Sequence, residues 1–157
     1  MATSTALSLT RRAIVVGSPQ SPIVKALALL KFSVLCVRNE SIAGRLSAMN
    51  ETSLIVLDGG ARPERRLAWV TRERASGMRI PVVVTCTEIS VAAAGSVAEL
   101  DRTVLVRSWA RVPVLVAAVL RALRTRSGPR GRRGESGVER TPQGRAPQLI
   151  VASYEDD

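Results

Sequence analysis

The sequence predicts one α/β domain in which helices cover both faces of a parallel β-sheet, and two observations support this prediction. Short aliphatic runs bounded by turn residues recur along the chain, a pattern typical of strands buried on both faces. Segments with apolar residues at helical spacing separate these runs, and such alternation is typical of right-handed βαβ units. The chain has 157 residues, which fits one domain with a tail, and only 3% are aromatic, which leaves the core to Val, Leu, Ile and Ala.

The first aliphatic run, residues 13–16, predicts a buried strand that a Gly-Ser-Pro turn closes. Ser21 and Pro22 are typical of a helix N-cap and first-turn proline, and helical spacing of apolar residues continues to Lys31. Residues 32–37 alternate loosely between apolar and polar and predict a second strand.

The third strand is the most informative stretch of the sequence. Four aliphatic residues, 54–57, end in Asp58, and Gly59 and Gly60 then release the chain into a loop. Asp58 therefore lies at the carboxyl end of a buried parallel strand, where open α/β sheets gather their ligands.

Two helices flank this strand in the sequence. Asn39 or Ser41 can cap the helix before it, which ends near Met49. The helix after it can begin at Pro63, and Gly77 is typical of its C-terminal end.

Two further strands and two further helices complete the domain. Residues 80–86 predict a fourth strand, with Pro81 near the start where proline is tolerated. The Ala-rich residues 90–100 predict a helix, residues 103–106 a fifth strand, and residues 113–124 a last helix.

Composition divides the chain into three parts. Gly, Pro, Arg, Glu and Ser dominate from residue 127 onward and periodicity vanishes, so residues 127–157 are predicted to be a disordered tail. The α/β domain then spans 12–126, after a flexible N-terminus, 1–11. The formal charge of +10 indicates an acidic partner, although the heavy use of Arg is equally typical of a GC-rich genome.

Cysteine and histidine usage argues against a disulfide framework or a zinc site. Cys36 and Cys86 both fall in strands predicted to be buried, where a lone cysteine behaves as a small hydrophobe, and the chain has no His. No stretch has the apolar core of a signal peptide or the length of a membrane span, so a cytoplasmic location without a membrane partner is expected.

Short matches in the right order make residues 12–125 resemble the receiver domain of bacterial response regulators. Residues 15–16 resemble the first strand of that family, Leu54–Asp58 the strand of the phosphoacceptor aspartate, residues 80–86 the Ile-Pro-Val strand, and residues 104–109 the strand ending in Lys-Pro-Phe. The resemblance implies a three-layer, flavodoxin-like (receiver-like) fold with a five-stranded parallel sheet in the order 2-1-3-4-5, and it makes Asp58 the equivalent of the phosphoacceptor.

The residues that would work with Asp58 in this family are missing. Phosphotransfer there needs a divalent metal held by oxygen ligands, and two acids at the end of the first strand supply some of them. Those positions fall on Gly17 and Ser18, and a single carboxylate is a poor cage for Mg²⁺. The family lysine becomes Arg107, which keeps the charge but not the compact ammonium. The sequence therefore predicts a degenerate receiver with no metal site and no cofactor.

The roles left for the remaining site residues stay open at this point. The position of the family's switch hydroxyl falls on Cys86, although a shift of one residue would place Thr85 or Thr87 there. Asp58 is either a phosphoacceptor or an inherited carboxylate that forms an ion pair with Arg107. We expect the ion pair, which would mimic the charge arrangement of a locked receiver without phosphate.

The resemblance also implies a partner surface. Trp109 and the helix that starts at Pro113 lie in the region that receivers use to contact partners or one another. A protein partner is therefore expected on the face formed by the fourth helix, the fifth strand and the fifth helix, with a homodimer as one form. The alternative is that Trp109 only covers the edge of the sheet.

The tail contains one imperfect copy of an AT-hook core. Residues 128–134 read Gly-Pro-Arg-Gly-Arg-Arg-Gly and resemble Pro-Arg-Gly-Arg-Pro, with Arg133 where a proline is expected. A narrow A·T minor groove has an enhanced negative potential that attracts Arg, so Arg130, Arg132 and Arg133 are candidates for DNA contact. Short Arg/Gly runs also occur in disordered tails that bind no DNA.

Three functions follow from these patterns. The first is a non-enzymatic signalling or scaffold module that acts through protein–protein contact, because the receiver scaffold lacks its metal acids. The second is a small DNA-associated regulator that binds through its Arg-rich tail. The third is a phosphorylatable receiver with an atypical site.

Overall fold

The computed structural model describes residues 11–49 and 51–124, in which five strands and five helices alternate. The elements are β1 (Arg12–Val16), α1 (Pro22–Leu29), β2 (Ser33–Val37), α2 (Glu40–Met49), β3 (Leu54–Asp58), α3 (Pro63–Ala75), β4 (Val82–Cys86), α4 (Val91–Glu99), β5 (Thr103–Arg107) and α5 (Val112–Arg124). Each strand and helix that the sequence predicts is present, with ends that differ by one or two residues.

The strands form one parallel sheet in the order β2-β1-β3-β4-β5, which confirms the predicted fold class and strand order. The register places Val16 opposite Leu57 and Asp58 opposite Thr85. Since all five strands run in the same direction, their carboxyl ends meet at a single edge of the sheet. Asp58 lies near the middle of that edge because β3 is the central strand.

Alternation along each strand divides the core into two apolar layers. Leu54 and Val56 face the layer covered by α1 and α5, whereas Ile55 and Leu57 face the layer covered by α2, α3 and α4. All four side chains are completely buried. A strand covered on both faces needs a continuous apolar run, and β3 has one up to Asp58.

The second strand is less buried than the sequence suggested. Cys36 was expected in a buried strand, but β2 is an edge strand whose five residues are all exposed or partly exposed. Its single neighbour is β1, so one side of the strand has no strand to cover it. Cys86, in contrast, is fully buried in β4, and burial raises the pKa of its thiol to about 11.

Local capping determines where several helices begin. The side chain of Asn39, not that of Ser41, accepts a hydrogen bond from the backbone N–H of Ile42 at the start of α2. Ser90 caps α4 in the same way by accepting from a backbone N–H. Ser21 precedes α1 but its side chain makes no capping hydrogen bond, so the first-turn proline Pro22 is the local feature that favours this start.

Several sequence-based predictions concern parts of the chain that lie outside the described residues. These are the flexible N-terminus, the disordered tail over 127–157, and the DNA-contact candidates Arg130, Arg132 and Arg133. Within the described part of the chain, no helix combines the length and the apolarity needed to cross a bilayer.

We expect Leu115→Ala to lower the free energy of unfolding by about 2–5 kcal/mol, because it would leave a cavity in a packed core. Leu115 is fully buried where α5 packs on the sheet. The matched control is Leu29→Ala, since Leu29 is a helical leucine that is 66% exposed; its effect should stay within about 0.5 kcal/mol. Urea denaturation measures both values, and equal losses would contradict the assignment of α5 to the core.

Candidate functional site

The carboxylate of Asp58 is held in a tight turn at the end of β3. Its Oδ1 atom accepts a hydrogen bond from the backbone N–H of Gly60 at 3.1 Å and a longer one from the Thr85 hydroxyl at 3.4 Å. The carbonyl oxygen of Asp58 accepts from Nε of Arg66 at 3.0 Å. The loop therefore fixes both the side chain and the backbone of Asp58.

The loop after Asp58 packs directly on the end of β4. The N–H of Gly59 donates to the carbonyl of Thr85 at 2.6 Å, and the N–H of Thr87 donates to the carbonyl of Gly60 at 2.8 Å. A Cβ atom at position 59 would lie 2.9 Å from Cα of Pro63 and 3.0 Å from the Thr85 carbonyl. Residue 59 therefore has to be glycine for the loop to approach β4 this closely.

The two positions that correspond to the receiver acids cannot support Asp58 as metal ligands. A Cβ atom at position 17 would lie only 3.0 Å from Cβ of Asp58, so the side chain of Asp58 already occupies the space in which an acidic side chain would begin. Ser18 is exposed, and its hydroxyl accepts a hydrogen bond from the N–H of Gln20 at 3.1 Å, within its own turn.

These residues do not fit a magnesium site. Mg²⁺ requires near-octahedral oxygen ligation, usually with one or two carboxylates that have room for water. Asp58 has no acidic neighbour at position 17 or 18, and its Oδ1 atom is already hydrogen-bonded. Over residues 11–49 and 51–124, no group of three or more His, Cys, Asp or Glu residues could hold a metal ion.

The structure places the hydroxyl of Thr85 beside Asp58, because these two residues are opposite each other in the register of β3 and β4. Cys86 points to the other face of the sheet, where its Sγ atom donates to the carbonyl of Val106 at 3.8 Å. Thr87 is exposed and contributes backbone contacts only. Of the three residues considered for the switch position, Thr85 is the one whose side chain contacts Asp58.

Arg107 does not form the ion pair with Asp58 that we expected from the sequence. Its guanidinium lies over the ring of Trp109, with 5.0 Å between Cζ and the ring centroid. In the register, Arg107 is opposite Cys86 whereas Asp58 is opposite Thr85, so the two residues start on opposite faces of the sheet and two strands apart. The Nε atom of Arg107 is buried and has no partner among the described residues.

Trp109 is fixed in place although it is half exposed. Its indole N–H donates to the carbonyl of Thr87 at 3.0 Å, and Arg107 covers its ring. Trp109 is thus 52% exposed and is also held in one orientation by two contacts. The site around Asp58 is thereby connected to the surface of β5 through a continuous set of loop contacts.

Sequence reasoning missed the role of Arg66. The sequence shows it as one of several charged residues on the solvent side of α3, yet it donates to the Asp58 carbonyl and forms an ion pair with Glu40. Its place in the first helical turn, three residues after Pro63, is the signal that could have indicated this contact, since side chains there lean back toward the preceding loop.

The fold is similar to that of several solved receiver proteins. An orphan response regulator of H. pylori matches with a TM-score of 0.57 and 17% identity, over 73% of this chain and 97% of that one. An atypical orphan response regulator, described as having a phosphorylation-independent regulatory mechanism, matches with a TM-score of 0.59 and 16% identity, over 73% and 96%. A CheY-like receiver domain of Methylobacillus flagellatus matches with a TM-score of 0.54 and 16% identity, over 72% and 98%.

These similarities show that the chain has a receiver-like fold. No family model matches the sequence. No curated protein is significantly similar to it in sequence. At identities of 16–17% the shared property is the fold, so the activity has to be argued from the site itself.

We expect Gly59→Ala to lower the free energy of unfolding by about 1–3 kcal/mol, because the added methyl group overpacks the contact with Pro63 and Thr85. Gly95→Ala is the matched control, since Gly95 lies inside α4 with no atom within 4 Å of the added Cβ. That change should raise the free energy by about 0.5–1 kcal/mol through helix propensity. Chemical denaturation distinguishes the two, and a stable Gly59→Ala protein would show that the loop is not packed as described.

Proposed function

We propose that this protein is a non-catalytic, receiver-like signalling module that works through protein–protein contact and does not depend on phosphorylation of Asp58. One observation carries the proposal: Gly17, which the resemblance to receivers aligns with a metal-binding acid, has no carboxylate, and a Cβ atom added there would lie only 3.0 Å from Cβ of Asp58. The chain has the receiver-like fold, but the residues around Asp58 do not support phosphorylation of its carboxylate.

Phosphotransfer to Asp58 would be opposed by electrostatics. An incoming phosphoryl group and a carboxylate are both negatively charged, and a bound metal ion is what shields them from each other in a working site. Arg107, the nearest equivalent of the family lysine, directs its guanidinium toward Trp109. Asp58 therefore has no carboxylate at position 17 or 18 to help hold a metal ion, and Arg107 is not placed to pair with a phosphoryl group on Asp58.

Two of the similar structures are consistent with this proposal. Both are orphan response regulators, and one is described as having a regulatory mechanism that is independent of phosphorylation. We propose that this chain is also regulated independently of phosphorylation, because the residues around Asp58 do not form a metal site.

The partner surface that we propose is the face formed by α4, β5 and α5. Trp109 lies two residues after the end of β5 and Val91 begins α4, so both lie near the carboxyl edge of the sheet. Val91 is 91% exposed and Trp109 is 52% exposed. An exposed tryptophan that is already held in one orientation loses little side-chain entropy on binding, and such residues often dominate the energy of an interface.

On phosphorylation, we expect no phosphoryl adduct on Asp58 after incubation with acetyl phosphate and Mg²⁺, because the site lacks the acids that hold the metal. Intact-mass spectrometry measures the adduct directly. A phosphorylatable receiver domain treated in parallel serves as the positive control. An adduct that appears on the protein and disappears in Asp58→Asn would show instead that the chain is a phosphorylatable receiver with an atypical site.

On the partner surface, we expect Trp109→Ala to weaken binding of the partner by about 2 kcal/mol or more, as is typical of an aromatic hot spot. The partner is first isolated from the native cell with the full chain as bait and then titrated against each purified variant. Sedimentation of the chain alone tests whether the partner is a second copy.

Two variants serve as controls for this titration. Leu29→Ala removes an exposed apolar side chain on α1, a helix that is not part of the proposed face, and should leave the affinity unchanged. Trp109→Phe keeps an aromatic ring but loses the hydrogen bond to Thr87, and should have an intermediate effect. Equal binding by Trp109→Ala and the unmodified protein would exclude this face as the contact surface.

A further inference from the structure

We infer that a cleft beside Asp58 binds a small ligand that bears phosphate groups. The cleft has a volume of about 660 Å³ and lies between the loop that precedes α2 and the start of α3. It is lined by Arg38, Asn39, Glu40, Asp58, Gly59, Arg62, Glu64, Arg65 and Arg66. No aliphatic or aromatic side chain is among these residues, so the cleft suits a polar ligand.

The acidic side chains that line the cleft all have partners within the protein. Glu40 forms an ion pair with Arg66. Asp58 accepts hydrogen bonds through its Oδ1 atom, as described above. Glu64 accepts from the hydroxyl of Ser90 at 3.3 Å, near the start of α4. The negative charges of the cleft are therefore engaged by existing contacts.

Three of the four arginines that line the cleft have no such contacts. Arg38, Arg62 and Arg65 are exposed, and none of their side chains forms a hydrogen bond or ion pair with another residue of the described ranges. They come from three places in the chain: the end of β2, the residue before α3, and the first turn of α3. The fold thus brings three cations without partners to one polar cleft.

Phosphate is the charged group that best fits this arrangement. The planar guanidinium of Arg forms paired hydrogen bonds with phosphate oxygens, and several such contacts on one group reinforce each other. The N-terminal end of α3 also opens beside the cleft, and the side chain of Arg62 makes no capping hydrogen bond there. Backbone N–H groups in the first turn of α3 add to the attraction for an anion.

The position of the cleft in the fold supports a small ligand. In the order β2-β1-β3-β4-β5, the chain direction across the sheet reverses between β1 and β3, and the loop after β3, which borders that point, supplies Gly59 and Arg62 to the cleft. Crevices at the carboxyl ends of the strands next to such a reversal are the common ligand sites of open α/β sheets. The inference does not depend on the partner surface proposed above, which lies on the β5 side.

Titration calorimetry with inorganic pyrophosphate on the full chain tests this inference. The test variant is Arg38→Gln/Arg62→Gln/Arg65→Gln, which removes three charges from exposed side chains without described contacts and should therefore fold normally. The matched control is Arg11→Gln/Arg79→Gln/Arg124→Gln, which removes three exposed charges away from the cleft. Both variants keep the Arg-rich tail, so any binding by the tail stays the same in both.

We expect saturable binding of pyrophosphate that weakens at least about tenfold in the cleft variant, since the variant loses hydrogen bonds between charged groups, which are stronger than hydrogen bonds between neutral groups. The control variant should bind within about twofold of the unmodified protein. In a parallel NMR titration of the unmodified protein, the amide resonances of Gly59 and Gly60 should shift. An equal loss in both variants, no saturable binding, or shifts confined to the tail would overturn the inference. Binding of duplex DNA with the same sensitivity to the cleft variant, and no binding of pyrophosphate, would also overturn it.

Discussion

The close approach of the chain around Asp58 is the constraint on which the rest of the site depends. Gly59 allows the loop after β3 to contact Pro63 and the carbonyl of Thr85, and Gly17 allows the end of β1 to contact the Cβ of Asp58. Two glycines, one just after β1 and one just after β3, thus permit the close packing around Asp58. The direction of the loop, the start of α3 and the contacts of Arg66 all follow from this packing.

The absence of the metal-binding acids and the position of Arg107 have a common electrostatic explanation. In a working receiver, a cation at the end of β5 is drawn toward a cluster of carboxylates and a phosphoryl group. Here a single carboxylate remains, and its Oδ1 atom is already hydrogen-bonded. Stacking on Trp109 gives Arg107 a favourable contact that needs no anion, and the same contact holds the tryptophan on the surface. The residue aligned with the family lysine thus contacts Trp109, which belongs to the partner surface that we propose.

The two proposed surfaces lie on opposite sides of Asp58 along the carboxyl edge of the sheet. The Arg-lined cleft borders the loops after β2 and β3, whereas Trp109 and Val91 lie beside β4 and β5. Asp58 and Gly60 contact both groups of loops, since the loop after β3 is hydrogen-bonded to the end of β4. A ligand in the cleft would therefore contact the same loop that packs against the strand next to the partner surface.

The sequence by itself determined the layers of the fold, because aliphatic runs that end at turn residues can be satisfied only by strands covered on both faces. It also located Asp58 at the end of the central strand and showed that Gly17 and Ser18 could not replace two acids. It did not determine which side chains meet at the site. Thr85 contacts Asp58 because of the register between β3 and β4, and Arg107 turns to Trp109 because its strand position faces away from Asp58. Only the tertiary structure decided the strand register and the contacts that each side chain reaches, because both depend on residues far apart in the chain. The same holds for the cleft that groups Arg38, Arg62 and Arg65.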